Sequence, residues 1–446
     1  MKSEHNNAIV LGPMATKGSK MKNRKICVMG LGYIGLPTAS LLANNGFHVI
    51  GVDKQTQLVK IINGGGVHIE EPGLKALVNA AVNSGLLKAS EQAEKADVFF
   101  IAVPTPVKED IGRKIVDLSF VEAAAEEVGG FLQQGNLVIL ESTSPPTTTC
   151  EVVAPLLEKR SGLKAGSDFY LAHCPERVLP GNTLKELIQN NRVIGGVNRK
   201  SAEVAYDLYK KFVEGKISLT DATTAEMVKL IENTFRDVNI ALANEIAAIC
   251  EKAGTDAWET IAMANLHPRV QVHQPGPGVG GHCISVDPWF IISAFENETK
   301  LIALARKVND RQPGRVVEKL KAILQGVETP RVTILGVTYK GNIDDTRESP
   351  ALKVIEGLEE AEIDYAIYDP HVRSFPYETS GLEEAFTGSD CAVILADHEE
   401  FRYLLPGELG SLMRNKVIFD TRNCLNRKLW EENGFRYYLL GAGEKR

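Results

Sequence analysis

Short apolar runs recur along the first half of the chain, and most of them stop at a glycine, proline, threonine or aspartate. They lie at 25–29, 47–52, 97–103, 137–140 and 169–174. A near-continuous apolar run with polar residues at its end is typical of a buried parallel strand whose carboxyl end opens onto a ligand crevice. The pattern predicts an open parallel sheet.

The last third repeats this series in the same order. Its apolar runs lie at 332–338, 365–370, 390–396 and 416–421. Four strand-like runs in a matching order predict a second open parallel sheet. Between the two series, residues 221–253 contain neither glycine nor proline. This segment predicts one long helix, which is also a usual place for a dimer contact.

A glycine-rich turn follows the first predicted strand. It reads Gly30, Leu31, Gly32, Tyr33, Ile34 and Gly35, and a helical pattern comes next. Glycines at these positions allow a tight turn, approach of a pyrophosphate, and close packing of helix on strand. The second run ends in Asp53, where a carboxylate can bind a ribose diol and would repel a 2′-phosphate. We therefore predict NAD as the cofactor.

Polar residues also follow the third, fourth and fifth runs. Val103 ends the third run and Pro104 and Thr105 follow it, while Thr143 comes after the fourth run. We expect them beside the cofactor, although a turn or a helix cap explains the threonines equally well. Glu176 follows the fifth run and is a candidate general base, with a surface salt bridge as the equal alternative.

The predicted long helix carries Lys229 and Asn233 four residues apart, on one face. Such a pair can donate hydrogen bonds to a developing oxyanion. The alternative, a solvated lysine and a surface asparagine, is the more common case for these residue types.

A second glycine-rich segment, Pro275–Phe290, contains Cys283 and, four residues later, Asp287. A thiolate in a loop that leads into a helix lies near backbone N–H groups that favour the anion, so Cys283 is a candidate nucleophile. The alternative is a buried structural cysteine. Farther on, Lys340, Arg347 and Arg422 follow strands of the second sheet, where cations suit a phosphorylated ligand or lie on the surface.

The charge and the cysteine content argue against several classes of protein. A net charge of −7 argues against a general nucleic-acid binder. Seven widely spaced cysteines without a CxxC pair indicate reduced thiols in a cytoplasmic protein and no metal site. No apolar run has the length of a signal peptide core or a membrane span, so no membrane association is expected.

The fold class is therefore expected to be α/β, with two Rossmann-like doubly wound parallel-sheet domains joined by a central helical domain. The predicted limits are 1–24 for a tail, 25–215 for the NAD-binding domain, 216–312 for the helical domain with the cysteine loop, and 313–446 for the second sheet domain.

Several motifs, in order, resemble those of the UDP-glucose/UDP-N-acetylhexosamine 6-dehydrogenase family. They include GLGYIGLP, VPTP, ESTSP, CPERVLPG, EMVKLIENTFRDVNIALANE, HPRV, PGPGVGGHCISVDPWF and KGNIDDTRESPA. The resemblance implies an NAD-dependent, two-step oxidation of a sugar carbon-6 alcohol to a carboxylate, used in surface polysaccharide biosynthesis. Its implied substrate is UDP-N-acetyl-D-mannosamine, with the gluco and galacto epimers as alternatives.

The resemblance also implies residue roles. Cys283 would be the nucleophile, Lys229 and Asn233 the oxyanion donors, Asp287 the partner of the lysine in proton transfer, Glu176 a base in thioester hydrolysis, and Thr143 a residue that positions water. Arg347 would contact the cofactor. The implied substrate contacts are Glu176, Arg177, Val178, Lys229, Asn233, Arg236, His267, Arg269, Gly280, Lys340 and Arg422.

Arg269 would reach the substrate of a neighbouring subunit, which implies a homodimer. One departure concerns Pro180, which stands where UDP-glucose dehydrogenases have a second glutamate. Because proline cannot act as a base, this places a glucose substrate in doubt. A nucleotide-sugar sensor without turnover is the alternative from another class, and it would not need Cys283.

Overall fold

The structure is a computed structural model that describes residues 24–110, 113–179 and 181–443. These residues form two units. The first unit extends to Ile231 and includes Trp289–Ala294, and the second comprises Glu232–Pro288 and the residues from Phe295 onwards. The predicted tail and Pro180 lie outside the described residues.

The first unit contains an eight-stranded sheet and a separate hairpin. In chain order the strands are β1 (Lys25–Met29), β2 (His48–Val52), β3 (Leu87–Ser90), β4 (Val98–Ile101), β5 (Val107–Asp110), β6 (Arg113–Val116), β7 (Leu137–Leu140), β8 (Tyr170–His173), β9 (Arg192–Gly196) and β10 (Ile217–Asp221). The sheet order is β10-β9-β8-β7-β4-β1-β2-β3, and β5 pairs with β6 alone. Within the sheet only β8 and β9 pair in antiparallel fashion.

The second unit contains a five-stranded, all-parallel sheet in the order β12-β11-β13-β14-β15. Its strands are β11 (Arg331–Leu335), β12 (Asp364–Tyr368), β13 (Cys391–Ile394), β14 (Val417–Asp420) and β15 (Arg436–Leu439). In both sheets the first strand in the chain lies between the second strand and a later one. The chain therefore reverses its winding direction there, which opens a crevice at the carboxyl ends of the strands.

Helices connect the strands of each sheet, and further helices lie in the part of the chain between the two sheets. They are α1 (Gly35–Asn44), α2 (Thr56–Asn63), α3 (Leu74–Asn83), α4 (Ser119–Gly129), α5 (Ala154–Ser161), α6 (Thr183–Gln189), α7 (Arg199–Tyr209), α8 (Ala222–Ala253), α9 (Ala257–Ala264), α10 (Asp287–Ala294), α11 (Lys300–Asp310), α12 (Gln312–Ile323), α13 (Pro350–Glu360), α14 (Leu382–Phe386), α15 (Pro406–Leu412) and α16 (Arg427–Glu432). A π-helix covers Thr149–Val153, and a 3₁₀-helix covers Glu399–Tyr403. None of the helices in the described parts of the chain is long and apolar enough to cross a membrane.

Alternate residues of the central strands face opposite sides of the first sheet. Ile26 and Val28 of β1 pack into one buried cluster, and Cys27 and Met29 pack into another. Helices on both faces therefore cover apolar side chains, which explains the near-continuous apolar runs. The second sheet likewise has a cluster on each face.

The predicted α/β class with two parallel sheets and helices between them is confirmed. All nine apolar runs form strands, and the predicted long helix is α8. Four strands of the two sheets, β3, β9, β10 and β15, were not predicted. β3 and β10 lie at the edges of their sheet and are only partly buried, so their sequences lack a long apolar run. β10 pairs within the first sheet, although its residues fall inside the predicted helical domain, which begins at 216. The predicted domain limits stay a prediction.

A buried charged network links helices α8 and α11 in the second unit. Arg306 donates to Asp237 at 2.5 Å, and Asn309 donates to the same carboxylate oxygen at 2.8 Å. Arg306 and Asp237 are almost fully buried. Asn244 donates to Asn309 and accepts a hydrogen bond from the N–H of Gly276, so the network also fixes the start of the glycine-rich loop.

Replacing Arg306 by leucine should leave the carboxylate of Asp237 buried without its cation. We expect the free energy of unfolding to fall by about 3–5 kcal/mol, measured by urea denaturation. Arg311→Leu, at an exposed neighbouring position, is the control and should change it by less than about 0.5 kcal/mol. Equal losses in the two variants would contradict a role for the buried pair.

Candidate active site

The three glycines of the turn between β1 and α1 have different surroundings. Gly30 has a φ of +91°, and a Cβ there would lie 2.5 Å from the carbonyl oxygen of Ala102. A Cβ on Gly35 would lie 1.9 Å from the carbonyl oxygen of Gly30. Among the described residues, no heavy atom outside its chain neighbours lies within 4 Å of a Cβ built on Gly32. The turn is therefore packed at two glycines and open at the third, which fits the approach of a pyrophosphate.

Asp53, at the end of β2, is bonded directly to this turn. Its Oδ2 accepts a hydrogen bond from the N–H of Leu31 at 3.1 Å, and its Oδ1 accepts one from the N–H of Gln55 at 3.0 Å. Leu31 is buried, Ile34 is half-buried, and Tyr33 is exposed. An open glycine and a fixed carboxylate within one turn fit the pyrophosphate and the ribose of NAD.

The ends of β4 and β7 are joined by a side-chain hydrogen bond. Ser142 donates its hydroxyl to the carbonyl of Val103 at 2.8 Å. Val103, Thr105 and Thr143 are half-buried, and Pro104 is exposed. The predicted cofactor contacts of these residues stay predictions, but the bond brings two of the predicted strand ends together.

Lys229 and Thr143 meet in the first unit. The ammonium of Lys229 donates to the Thr143 hydroxyl, and both side chains are half-buried. The alternative of a solvated lysine is therefore wrong. His173 lies fully buried nearby, and burial together with the positive charge of Lys229 lowers its pKa to about 3. His173 is therefore neutral at physiological pH.

Glu226, one helical turn before Lys229, was not predicted as a site residue. It is almost fully buried, and its two oxygens accept hydrogen bonds from the N–H groups of Thr147 and Thr149, each at 2.7 Å. Burial raises its pKa to about 7, while the hydrogen bonds from Thr149 and Thr147 oppose the shift. Its position three residues before Lys229, on the same predicted helix face, was the signal available in the sequence.

Cys283 lies in the turn immediately before α10, and its side chain is exposed. The alternative of a buried structural cysteine is therefore wrong. The N–H of Asp287, the first residue of α10, donates to the carbonyl of Cys283 at 2.8 Å. A thiol at the N-terminal turn of a helix lies in a field that favours its thiolate form.

The glycines before Cys283 allow close contact with the segment after β11. A Cβ on Gly280 would lie 2.5 Å from the carbonyl oxygen of Glu348, and the N–H of Gly281 donates to the carbonyl of Arg347 at 3.1 Å. The loop is thus held by backbone contacts that any side chain at Gly280 would disrupt.

Asn233 and Asp287 form a hydrogen-bonded pair in the second unit. The amide of Asn233 donates to Asp287 Oδ2 at 2.5 Å, Asp287 is almost fully buried, and Asn233 is half-buried. The surface-asparagine alternative is therefore wrong. The carboxylate lies four residues from Cys283 and is fixed at the start of α10.

The three predicted cations of the second unit differ in their surroundings. Arg422 donates to Asp397 at 2.9 Å, and a Cβ on Gly276 would lie 2.9 Å from its Nη1, so this guanidinium lies against the glycine-rich loop. Arg347 bonds Asp345 through two nitrogens, at 2.8 and 2.7 Å. Lys340 is exposed. The pairing of Arg422 with Asp397 was not predicted, because the two residues follow different strands.

Glu176 is buried and forms an ion pair with Arg192 at 2.7 Å, so the surface salt-bridge alternative is wrong. The N–H of Arg177 donates to its other oxygen at 2.9 Å. The side chain of Arg177 donates to the carbonyl of Asn191, and Val178 is half-buried. Arg192, on the unpredicted strand β9, was missed because no pattern relates it to Glu176.

The remaining predicted substrate residues, Arg236, His267 and Arg269, are exposed on the second unit. The N–H of Arg269 is bonded to Nδ1 of His267 at 3.3 Å. Their predicted contacts with substrate stay predictions.

His371, His398 and Glu400 form a cluster with the spacing of metal ligands in the second unit. Nδ1 of His398 accepts a hydrogen bond from the N–H of Asn342 at 2.9 Å, so the ring proton lies on Nε2, which is 3.0 Å from Asp369. A protonated nitrogen offers no lone pair to a metal. We therefore assign no metal to this cluster.

Comparisons with known proteins give the same family for all three parts of the chain. Residues 24–213 match the NAD binding domain of the UDP-glucose/GDP-mannose dehydrogenase family, residues 223–311 match its central domain, and residues 333–427 match its UDP binding domain. The first match confirms the predicted cofactor, NAD.

Individual relatives match nearly the whole chain. The UDP-N-acetyl-D-mannosamine dehydrogenase of Methanocaldococcus jannaschii is 53% identical, over 94% of this chain and 97% of that protein. The NDP-N-acetyl-D-galactosaminuronic acid dehydrogenase of Ralstonia solanacearum is 46% identical, over 91% and 97%. A solved structure of the Pyrococcus horikoshii UDP-D-ManNAc dehydrogenase is 44% identical, covers 94% of this chain and 100% of that one, and superposes with a TM-score of 0.87.

The family motifs in the sequence, both parallel sheets and these matches agree. The chain belongs to the UDP-glucose/GDP-mannose dehydrogenase family.

Proposed function

We propose that the protein is an NAD-dependent 6-dehydrogenase of UDP-N-acetyl-D-mannosamine, which it oxidises to the corresponding uronate. The observation that carries the proposal is the exposed Cys283 at the start of α10, in a family whose members are oxidoreductases. Relatives that are about 50% identical to this chain are named for this activity. The product is a precursor for surface polysaccharide, and the cysteine pattern favours a cytoplasmic location.

When bound, NAD would supply the hydride acceptor, and the two oxidations would consume two molecules of it in turn. The residues that would hold it are Gly30, Gly32 and Gly35 of the turn, together with Asp53. The proposed contacts of Val103, Pro104, Thr105, Thr143 and Arg347 add to this set.

The chemistry proposed for the chain's own residues centres on the thiol. An alcohol can lose a hydride without covalent catalysis, but an aldehyde has no suitable hydride to lose until a nucleophile has added to its carbonyl carbon. The thiolate of Cys283 would form that adduct, a thiohemiacetal. Loss of the second hydride gives a thioester, and water then releases the acid and restores the thiol.

Lys229 and Asn233 would donate hydrogen bonds to the substrate oxygen as negative charge develops on it. Thr143, bonded to Lys229, would position water, and Asp287, bonded to Asn233, would take part in proton transfer. Glu176 would serve as a base in thioester hydrolysis. Both of its oxygens already accept hydrogen bonds, so Arg192 and the N–H of Arg177 would fix its orientation.

The UDP binding domain, which the family match gives for residues 333–427, supplies the proposed phosphate ligands Lys340 and Arg422. Arg177, Val178, Arg236, His267 and Gly280 would complete the substrate contacts. The galacto and gluco epimers of the N-acetylhexosamine are the alternative substrates, and the Ralstonia relative supports the first of them.

A panel of UDP-sugars tests the substrate. We expect steady-state NADH formation to be fastest with UDP-N-acetyl-D-mannosamine, and mass spectrometry to find one uronate for every two NADH. UDP-N-acetylglucosamine, UDP-N-acetylgalactosamine and UDP-glucose are the comparisons. An equal rate with UDP-glucose would contradict a site specific for an acetamido sugar.

Replacing Cys283 by serine tests the nucleophile and separates an enzyme from a sensor. We expect NAD binding to persist while uronate formation falls at least about 100-fold, as measured by product mass spectrometry. Cys150→Ser, at another exposed cysteine, is the control and should keep the wild-type rate. Unchanged turnover in Cys283→Ser would exclude the thioester route.

A homodimer is part of the proposal. Helix α8 carries an exposed apolar stripe with helical spacing, formed by Ile231, Phe235, Leu242 and Ile249, which are 48–64% exposed. Apolar side chains in such a stripe are typical of a surface that a second helix covers. In the proposed dimer Arg269 would contact the substrate bound to the partner subunit.

Complementation between two inactive variants tests this arrangement. Arg269→Ala and Cys283→Ser should each have low activity as pure proteins. Co-expression with two affinity tags should yield mixed dimers in which one of the two sites has both residues, so the tandem-purified mixed dimers should have about half of the wild-type activity. Tandem-purified dimers with no more activity than either variant would refute an arginine supplied by the partner.

A further inference from the structure

The loop that follows β7 carries Thr143 and then adopts a strained backbone. Thr147 has a φ of +77°, a left-handed conformation that is a genuine outlier for a β-branched residue. A π-helix begins two residues later, at Thr149. Such conformations persist only where surrounding groups hold them in place, and they concentrate at functional sites.

Glu226 is the group that holds this loop. Its Oε2 accepts a hydrogen bond from the N–H of Thr147 at 2.7 Å. Its Oε1 accepts one from the N–H of Thr149 at 2.7 Å and one from the Thr149 hydroxyl at 2.5 Å. Two acceptor oxygens on one rigid carboxyl group therefore satisfy three donors from both sides of Thr148, and the carboxyl group is almost fully buried.

The same turn of α8 binds the loop a second time, through Lys229. Glu226 and Lys229 are three residues apart and face the same side of the helix. Lys229 donates to Thr143, four residues before the strained Thr147. The carboxylate and the ammonium thus bind the loop at two places, and a shift at Thr147 would be transmitted through four residues to the hydroxyl that Lys229 contacts.

We infer that Glu226 is a positioning residue for the Thr143–Lys229 pair: it clamps the loop after β7 in its left-handed conformation and so fixes the hydroxyl bonded to the lysine. This inference rests on the roles proposed above for Thr143 and Lys229. Glu226 itself is buried beneath the loop and does not belong to the proposed set of groups that touch substrate.

The test combines three variants with two measurements. Glu226→Ala removes all three hydrogen bonds. Glu226→Gln keeps the shape but directs an amide donor at one backbone N–H, so one bond is lost. Thr147→Gly allows the same φ without strain, because glycine adopts left-handed conformations readily. It also removes the bond from the Thr147 hydroxyl to the exposed Glu151, at 3.1 Å.

Hydrogen exchange followed by mass spectrometry measures directly how firmly Glu226 holds the loop. Peptides covering residues 143–150 should exchange faster in Glu226→Ala than in the wild-type protein, with a smaller change in Glu226→Gln. Glu122→Ala, at an exposed glutamate of α4, is the matched control and should leave these peptides unchanged. Unchanged exchange in Glu226→Ala would overturn the clamp.

Enzyme kinetics test whether Glu226 positions the Thr143–Lys229 pair. We expect kcat to fall about 10- to 100-fold in Glu226→Ala, with the KM for NAD changing less than about twofold. The double variant Glu226→Ala/Thr147→Gly should regain at least about half of the lost kcat on a logarithmic scale, because the loop no longer needs the clamp to adopt its conformation. A purely structural role would lower the amount of folded protein without this specific rescue.

The outcomes separate this inference from the proposed function. If Glu226→Ala loosens the loop but leaves kcat within about twofold of the wild type, the positioning role is wrong. If Glu226→Ala does not fold, Glu226→Gln and its combination with Thr147→Gly give the same comparison. A wild-type protein that oxidises none of the UDP-sugars would sink the proposed function, while hydrogen exchange would still decide whether Glu226 holds the loop.

Discussion

One face of helix α8 carries polar side chains that are buried or half-buried. Glu226, Lys229, Asn233, Asp237 and Asn244 recur at intervals of three, four, four and seven residues, which places them on one stripe of a helix. Every one of them is bonded to a group outside the helix. Because a buried polar group without a partner is costly, this stripe constrains the segments that it meets.

In the first unit the stripe fixes the loop after β7, through Glu226 and Lys229. In the second unit it fixes the first residue of α10 through Asn233, and the start of the glycine-rich loop through Asn244. The stripe therefore combines two residues that we propose for catalysis, Lys229 and Asn233, with two that only hold neighbouring segments in place, Glu226 and Asn244. Precise placement of reacting groups is worth several orders of magnitude in rate. Hydrogen bonds that hold these groups in place therefore contribute to function.

Burial sets the charge state of several groups in this region. His173 is held neutral by burial and by the charge of Lys229, so its imidazole adds no positive charge beside the lysine. Burial raises the pKa of Glu226 from 4.5 to about 7 in the folded protein. Its contribution to the stability of the folded protein therefore falls as the pH rises from about 4.5 to 7. The three hydrogen bonds from the loop limit that shift. The carboxylate of Glu176 forms an ion pair with the guanidinium of Arg192.

The sequence by itself determined the two parallel sheets, the long helix and the NAD-binding turn, because these depend on local periodicity and on a turn in which Gly30 is left-handed and Gly35 has no room for a Cβ. It also identified Cys283, Lys229, Asn233 and Asp287 as candidates, through the glycine-rich loop, the helical spacing of the lysine and asparagine, and the family resemblance. The tertiary structure alone decided which of these side chains are bonded to one another. Arg192, Glu226 and Asp397 act through partners on other strands, helices or loops, and such pairings leave no periodic trace in the chain. The short edge strands β3 and β10 were likewise decided by pairing with a neighbour rather than by their own apolar content.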